Sequence, residues 1–183
     1  MPSDSGMALI IVMHLDPSHE SHIAELLSSV TEMEVVQAGD EQAIEPNHVY
    51  VIAPDRVLKI HGGVLCSTGP RAPHGDRKPV DTLFSSLAVD QKARSVGVIL
   101  SGTGNNGSSG IRDINSAGGL CIVQDPATAQ FDGMPRNAIA TGVADYVVPP
   151  EEMPKILLEY AGQPEVRASV VEANADTQPA PSP

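Results

Sequence analysis

Residues 96–125 read VGVILSGTGNNGSSGIRDINSAGGLCIVQD. The stretch begins and ends with apolar runs of strand length, and continuous apolar runs are typical of strands buried on both faces of a parallel sheet. Between them lie a glycine-rich loop and a helix predicted from about Ser108 to Ala117. Gly118 and Gly119 are predicted to end that helix as left-handed caps. The stretch therefore predicts a strand–helix–strand unit.

The rest of the chain extends this alternation of strands and helices. An apolar strand, ALIIVMH, ends at His14 and is likewise predicted to be buried on both faces. A hairpin is predicted to turn at Gly62 and Gly63. The further predicted strands are 34–38, 47–54 and 144–149, and the further helices are 16–30, 80–91, 133–142 and 150–162. The pattern predicts an α/β fold, a doubly wound, mostly parallel, Rossmann-like sheet with a small hairpin.

Domain organisation follows from composition. Residues 1–162 are predicted to form one domain, and residues 163–183, which are rich in Pro, Ala and Ser and acidic, a disordered tail. The net charge of -12 argues against binding to nucleic acid or to an anionic membrane surface. No apolar run approaches the ~20 residues of a membrane span. With only two cysteines, the chain is expected in the reducing cytoplasm.

The loop from Gly102 to Gly107 matches the GxGxxG dinucleotide fingerprint. It follows a strand and opens a helix, and Asp125 ends the next strand, where a ribose-binding carboxylate is expected. Against this, the unit is not the first strand–helix–strand unit of the chain. Asn105 and Asn106 also favour a tight left-handed bend over a flat phosphate cradle. A dinucleotide-binding domain remains an alternative.

Five segments in order carry a resemblance: VMHLDPSHESHIAELL, HVYVIAP, PVDTLFSSLA, VGVILSGTGNNGSSGI and FDGMPRNAIATG. Together, from about Met7 to Tyr160, they resemble the catalytic domain of CheB-type chemotaxis protein-glutamate methylesterases. The variant fused to a CheR-type methyltransferase is the most similar. The resemblance implies a Ser-His-Asp triad on a doubly wound sheet. It also implies hydrolysis of methyl esters, and deamidation of glutamines, on a methylated chemoreceptor or related signalling protein.

The resemblance implies roles for three catalytic positions. His14 matches the general base, Asn106 falls at the position of the triad Asp, and the backbone N–H of Thr103 matches an oxyanion donor. The segment around Met134 to Arg136 matches a helix start near the cleft. Independently, His14 and the glycine loop each follow a strand, at the sheet edge where doubly wound folds place their ligands.

Two departures from the family lower the expected activity. The family's serine nucleophile lies in a Gly-Ala-Ser-x-Gly-Gly segment, and the 13 residues before His14 contain none. Ser101, Ser108 and Ser109 lie near the loop but lack that context. At the triad position, Asn106 is an amide, and in serine proteases the same Asp→Asn change lowers kcat about 10⁴-fold. We expect an impaired or inactive esterase or, alternatively, a non-catalytic receptor- or partner-binding module.

The same comparison predicts an incomplete sheet. The family's first strand and helix are missing from the sequence, so we expect a chain truncated at its N-terminus, with two strands left with an open edge. Self-association through that edge is expected. His14, His19 and His22 do not complete a metal-ligand set, and neither a metal nor a cofactor is expected. The cationic loop from Arg71 to Lys78 could contact an acidic receptor helix.

Overall fold

A computed structural model describes residues 1–13, 22–69 and 78–163. Strands and helices alternate along these ranges, as the sequence predicts, except over residues 34–68, where five strands follow one another. In chain order they are β1 (Leu9–Ile11), α1 (Ile23–Ser28), β2 (Glu34–Gln37), β3 (Gln42–Ala43), β4 (His48–Val51), β5 (Val57–His61), β6 (Val64–Thr68), α2 (Pro79–Gln91), β7 (Val96–Ile99), α3 (Gly110–Ser116), β8 (Leu120–Gln124), α4 (Gly133–Ile139), β9 (Tyr146–Val148) and α5 (Met153–Ala161).

The described strands form three sheets of three strands each. Two are wholly parallel, with the orders β1-β4-β2 and β7-β8-β9, and the third is antiparallel, with the order β3-β6-β5. The predicted α/β fold with parallel sheets is confirmed. The hairpin between β5 and β6 is also confirmed, since Gly62 and Gly63 take φ values of +58° and +73° at its turn.

Helix α2 lies over both parallel sheets and joins their cores. Val80 and Phe84 pack into the cluster that contains Ile99 of β7, whereas Leu83 packs into the cluster that contains Ile10 of β1. Val12, just after β1, contacts both clusters. Val80, in the first turn of α2, and Val12 therefore share a cluster with Ile99 at the end of β7.

β1 and β7 are edge strands of the two parallel sheets in the described part of the chain. There β1 pairs only with β4, and β7 pairs only with β8. The expected open edges are therefore observed. The prediction that β1 is buried on both faces is wrong, since Leu9–Ile11 are all only half-buried. The same prediction for β7 is wrong at Val96 and Val98, which are half-buried, whereas central β8 is buried at every residue, as predicted. A strand with one ladder partner is less covered than a central strand.

The antiparallel sheet is fastened to the same helix by polar contacts. The N–H of Ile60 donates to Ser86 Oγ at 3.0 Å, and the N–H of Gly62 donates to Asp90 Oδ1 at 2.5 Å. These bonds join the middle and end of α2 to β5 and its turn. The N-terminal end of α2 is left to meet the glycine loop.

The C-terminal cap predicted for α3 is confirmed at one of its two glycines. Of the two glycines predicted to cap α3, Gly118 has the left-handed φ of +81°, but Gly119 does not. Gly119 instead packs on Ser95, because a Cβ at position 119 would lie 2.5 Å from the backbone O of Ser95.

No helix in the described ranges is long and apolar enough to cross a membrane. The tail predicted to be disordered lies almost entirely outside the described residues, which end at 163.

Candidate active site

The glycine loop, residues 101–109, leaves β7 at the carboxyl edge of its sheet and is held by the start of α4. The N–H of Gly102 donates to the carbonyl of Phe131 at 2.9 Å, and the N–H of Met134 donates to the carbonyl of Gly102 at 2.8 Å. Asn137 Nδ2 donates to the carbonyl of Gly104 at 2.9 Å. These contacts fix the first half of the loop in one conformation.

Two glycines, rather than the asparagines between them, supply the bend. Gly104 and Gly107 have φ values of +80° and +95°, whereas Asn105 and Asn106 are absent from the left-handed region. The prediction that the asparagines make a left-handed bend is therefore wrong. Gly107 also has no room for a side chain, because a Cβ there would lie 2.4 Å from Ile99 Cδ1.

Thr103 lies exposed near the tip of this loop. Its backbone N–H makes no hydrogen bond with the described residues. Behind it, Gly133 brings α4 so close that a Cβ at that position would lie 3.1 Å from the N of Gly104. A backbone N–H held on a rigid loop and open to solvent can donate to a developing oxyanion.

Asn106 and Asp81 cap the starts of two helices. Asn106, in the loop before α3, caps α2, and Asp81, in α2, caps α3. Asn106 is 7% exposed, and its Oδ1 accepts a hydrogen bond at 3.2 Å from the N–H of Asp81, in the first turn of α2. In return, Asp81 Oδ1 accepts from the N–H groups of Ser109 and Gly110, at 3.0 and 2.8 Å, at the start of α3. Both acceptors satisfy amides that a helix start leaves unpaired.

Sequence reasoning missed Asp81. A carboxylate in the first turn of a helix is ordinarily an exposed residue that complements the helix dipole. Here it is 8% exposed, because Gly110 lets α3 approach α2 closely. Its second oxygen, Oδ2, is buried without a hydrogen-bond partner in the described structure, and so is Ser108 Oγ.

The capped start of α3 contradicts the dinucleotide interpretation. A dinucleotide fingerprint places the pyrophosphate on the free amides at the helix start. In this chain the Asp81 carboxylate already occupies the amides of Ser109 and Gly110. Asp125, the candidate ribose ligand, accepts from the N–H of Ala127 at 2.9 Å and caps a short 3-10 turn.

Comparison with known proteins identifies the family. The sequence profile of the CheB methylesterase family matches residues 1–157. The chain belongs to this family. The structure resembles the crystal structure of the Thermotoga maritima CheB methylesterase catalytic domain, with a TM-score of 0.78 and 29% sequence identity. The likeness covers 87% of this chain and 86% of that one.

Two of the similar curated proteins are named as methylesterases, and a third is uncharacterised. A protein-glutamate methylesterase/protein-glutamine glutaminase of Hydrogenovibrio crunogenus is 36% identical over 155 residues, covering 82% of this chain and 41% of that protein. One of Pyrococcus horikoshii is 33% identical over 162 residues, covering 86% and 44%. An uncharacterised 104.1 kDa protein of Rhodobacter capsulatus is 38% identical over 142 residues, covering 75% and 14%. The chain thus spans less than half of each of these relatives.

Three residues were matched to catalytic positions of CheB: His14, Thr103 and Asn106. Thr103 and Asn106 both lie on the glycine loop, where Thr103 is exposed and Asn106 is buried. His14 lies outside the described residues. The strand that leads to it is described as far as Met13, and Val12 packs on the cluster that contains Val80 and Ile99, beneath the glycine loop.

The serines considered as replacements for the CheB nucleophile have other surroundings. Ser101 Oγ accepts from the N–H of Phe131 at 3.0 Å. Ser108 Oγ is buried, and the N–H of Ser109 donates to Asp81. None of these observations assigns a nucleophile among the described residues.

The remaining candidates are the histidines after His14, the cationic loop and the segment around Met134. His22 is largely exposed, and its Nδ1 lies 3.0 Å from Glu25 Oε2. No group of three potential metal ligands occurs in the described ranges. His19 and most of the cationic loop, residues 71–77, lie outside the described residues. Met134 does border the loop as expected, since a Cβ at Gly102 would lie 2.4 Å from its Sδ. Arg136 pairs with Asp132 at 2.6 Å.

Proposed function

We propose that residues 1–162 form a protein-glutamate methylesterase domain that acts on methylated chemoreceptors or related signalling proteins. The observation that carries this proposal is the glycine loop. It presents the open N–H of Thr103 and the buried amide of Asn106 at the carboxyl edge of the sheet, beside the end of the strand that leads to His14. By the names of its relatives, glutamine deamidation at the same site is part of the proposal.

The proposed reaction is acyl transfer through a serine of the family's catalytic segment. His14 takes the hydroxyl proton as the serine oxygen attacks the γ-carbonyl of the methyl ester. The N–H of Thr103 donates to the resulting oxyanion. Collapse of the intermediate returns the proton to the departing methanol. Water, again activated by His14, then releases the glutamate carboxylate.

We further propose that the chain turns over weakly, because position 106 holds an amide. A neutral carboxamide can accept a hydrogen bond from an imidazole, but it does not stabilise the imidazolium that forms during attack. The corresponding change in serine proteases lowers kcat about 10⁴-fold. In addition, Asn106 Oδ1 already accepts from the N–H of Asp81.

Methanol release from methylated receptor helices tests the proposal. We would assay the chain, its Asn106→Asp variant, and both of these fused behind the Gly-Ala-Ser segment of a relative. Little or no methanol from the chain and a clear gain in the Asn106→Asp fusion would support it. Asn105→Asp, which adds the same charge at an exposed neighbour, should give no gain. Robust esterase activity in the chain itself would overturn the proposed impairment.

A non-catalytic receptor-binding module is the second candidate. One observation favours it: Asn106 caps α2, and this structural role needs no carboxylate. Calorimetric binding to receptor helices without methanol release in any variant would select this function. Neither binding nor release would defeat both candidates.

Two further proposals concern the oligomeric state of the protein and its cellular compartment. The open edges of β1 and β7 can pair with another chain, so we propose concentration-dependent self-association. Light scattering coupled to size exclusion would detect self-association, and a monomer at every concentration would refute it.

Cys66 and Cys121 are both free thiols, which supports a reducing compartment such as the cytoplasm.

A further inference from the structure

We infer that Phe131 is a substrate-binding residue that favours the neutral γ-methyl ester of the substrate over the glutamate carboxylate that hydrolysis leaves. The inference rests on the proposed function, in which the N–H of Thr103 receives the carbonyl oxygen of that ester. It adds an apolar side chain, on the segment before α4, that contacts the substrate next to this donor.

The first support is the attachment of Phe131 to the two residues before Thr103. The carbonyl of Phe131 accepts a hydrogen bond from the N–H of Gly102 at 2.9 Å, and its N–H donates to Ser101 Oγ at 3.0 Å. Ser101 Oγ also lies 3.3 Å from the Phe131 carbonyl. Because Thr103 follows directly on Gly102, these bonds hold the backbone of Phe131 at a fixed place beside the proposed oxyanion donor.

The second support is that the fold does not use the ring of Phe131. Phe131 is 52% exposed, and it belongs to none of the four core clusters of the described residues. The other phenylalanine of the chain, Phe84, is 7% exposed and packs in the cluster that contains Ile111. An exposed ring on a fixed backbone offers apolar area to a ligand with little further loss of conformational freedom.

The third support is a group of exposed apolar side chains at the same edge of the fold. Leu100 follows Ile99 and is 48% exposed, and Met13 follows Val12 and is 40% exposed. Val12 packs on the cluster that contains Ile99, so Met13 and Leu100 leave the core at neighbouring points. Grouped apolar side chains at a surface mark binding sites, whereas single ones are ordinary.

The fourth support is the charge around Phe131. Within residues 98–104 and 129–140, all of which the structure describes, Arg136 is the one cation, and its Nε lies 2.6 Å from Asp132 Oδ2. A carboxylate beside the ring would lose hydration and gain no counter-charge from these residues, whereas a methyl ester would gain apolar contact. This surface therefore favours binding of the ester and release of the acid.

The test is calorimetric binding of three helical peptides that differ at one position, which is γ-methyl glutamate, glutamine or glutamate. We expect the chain to bind the methyl ester peptide most tightly. Phe131→Ala should weaken that binding about tenfold and weaken binding of the glutamate peptide much less, because the lost contact is apolar. Phe131→Leu, which keeps an apolar side chain, should recover part of the affinity. Val89→Ala, which shortens a 79% exposed side chain of α2, is the control and should change neither affinity.

An unchanged ratio of ester to glutamate affinity in Phe131→Ala would overturn the inference, and so would the failure of the chain to bind any of the three peptides. Because the ring is exposed, Phe131→Ala should keep the urea midpoint of the chain, and Phe131→Leu replaces it in the comparison if it does not. A lost ester preference without methanol release from any variant would keep this inference and defeat the proposed esterase. Methanol release from the Asn106→Asp fusion together with an unchanged ratio would do the reverse.

Discussion

Asp81 and Asn106 close the starts of two neighbouring helices by reciprocal hydrogen bonds. The amide oxygen of Asn106 receives the N–H of Asp81, and the carboxylate of Asp81 receives the N–H groups of Ser109 and Gly110. Because the glycine loop lies between these contacts, its second half is fixed by α2, just as its first half is fixed by α4. The conformation of the candidate site therefore depends on the junction of α2 and α3.

Removing the Asp81 carboxylate should destabilise the fold. In Asp81→Ala the amides of Ser109 and Gly110 lose their acceptor inside the protein, and we expect a loss of about 2 kcal/mol. Urea denaturation measures it. Asp81→Asn, which retains an oxygen acceptor, should lose clearly less. Equal losses in the two variants would show that the charge, not the cap, stabilises this junction.

Adding one methyl group at Gly110 should force α2 and α3 apart. A Cβ there would lie 2.6 Å from Phe84 Cβ and 3.0 Å from the backbone of Asp81. We expect Gly110→Ala to lower the free energy of unfolding by about 1–3 kcal/mol, as overpacking does. Gly69→Ala is the control, since among the described residues beyond its chain neighbours no atom lies within 4 Å of its added Cβ. A Gly110→Ala chain as stable as this control would contradict the close helix packing.

Nicotinamide dinucleotides should not bind. The Asp81 carboxylate occupies the amides that a pyrophosphate would need, and a second anion there would be repelled. We expect no rise in melting temperature with NAD or NADP at millimolar concentration, where a bound ligand would stabilise the fold. A clear saturable rise would restore the nucleotide-binding interpretation of the glycine loop.

The two cysteines should react very differently. Burial raises the pKa of Cys121 from 9.0 to about 12, with a further contribution from Asp145, whereas Cys66 is partly exposed. At pH 8 iodoacetamide should therefore modify Cys66 and spare Cys121 until urea unfolds the chain. Mass spectrometry of the digested protein distinguishes the two sites, and Cys66→Ser should abolish labelling of the folded protein.

The same thiol gives a pH dependence of stability. Because the folded state holds the Cys121 proton more tightly than the unfolded state, its contribution is complete below about pH 9. It is lost as the pH rises from there towards 12. Denaturation midpoints that fall across this window in Cys66→Ser would agree. A flat profile would contradict the raised pKa.

Local patterns predicted most of the elements but not their environments. Apolar runs identified β8 and β7, and Gly62 with Gly63 identified the hairpin. The two-residue strand β3 is too short to give a pattern. The half-exposure of β1 was missed, because it depends on which strand lies beside it and not on its own residues.

The candidate site was predicted in part, for a related reason. The resemblance drew attention to Thr103 and Asn106, and the structure puts both on one loop. Asp81 lies 25 residues before Asn106 in the sequence. Nothing in its local sequence distinguishes it from an exposed helix-start acid. Its burial arises from the approach of α3 at Gly110, a long-range contact that no local pattern contains.

The reciprocal caps also bear on how a chain like this could change over generations. A carboxamide and a carboxylate each offer an oxygen to the N–H of Asp81, so the cap of α2 is compatible with either group at position 106. Selection for a folded protein would not distinguish them. Under the proposed function, a relative that carries the serine segment would therefore lose turnover by this one substitution and regain it by the reversal, with the cap of α2 kept throughout.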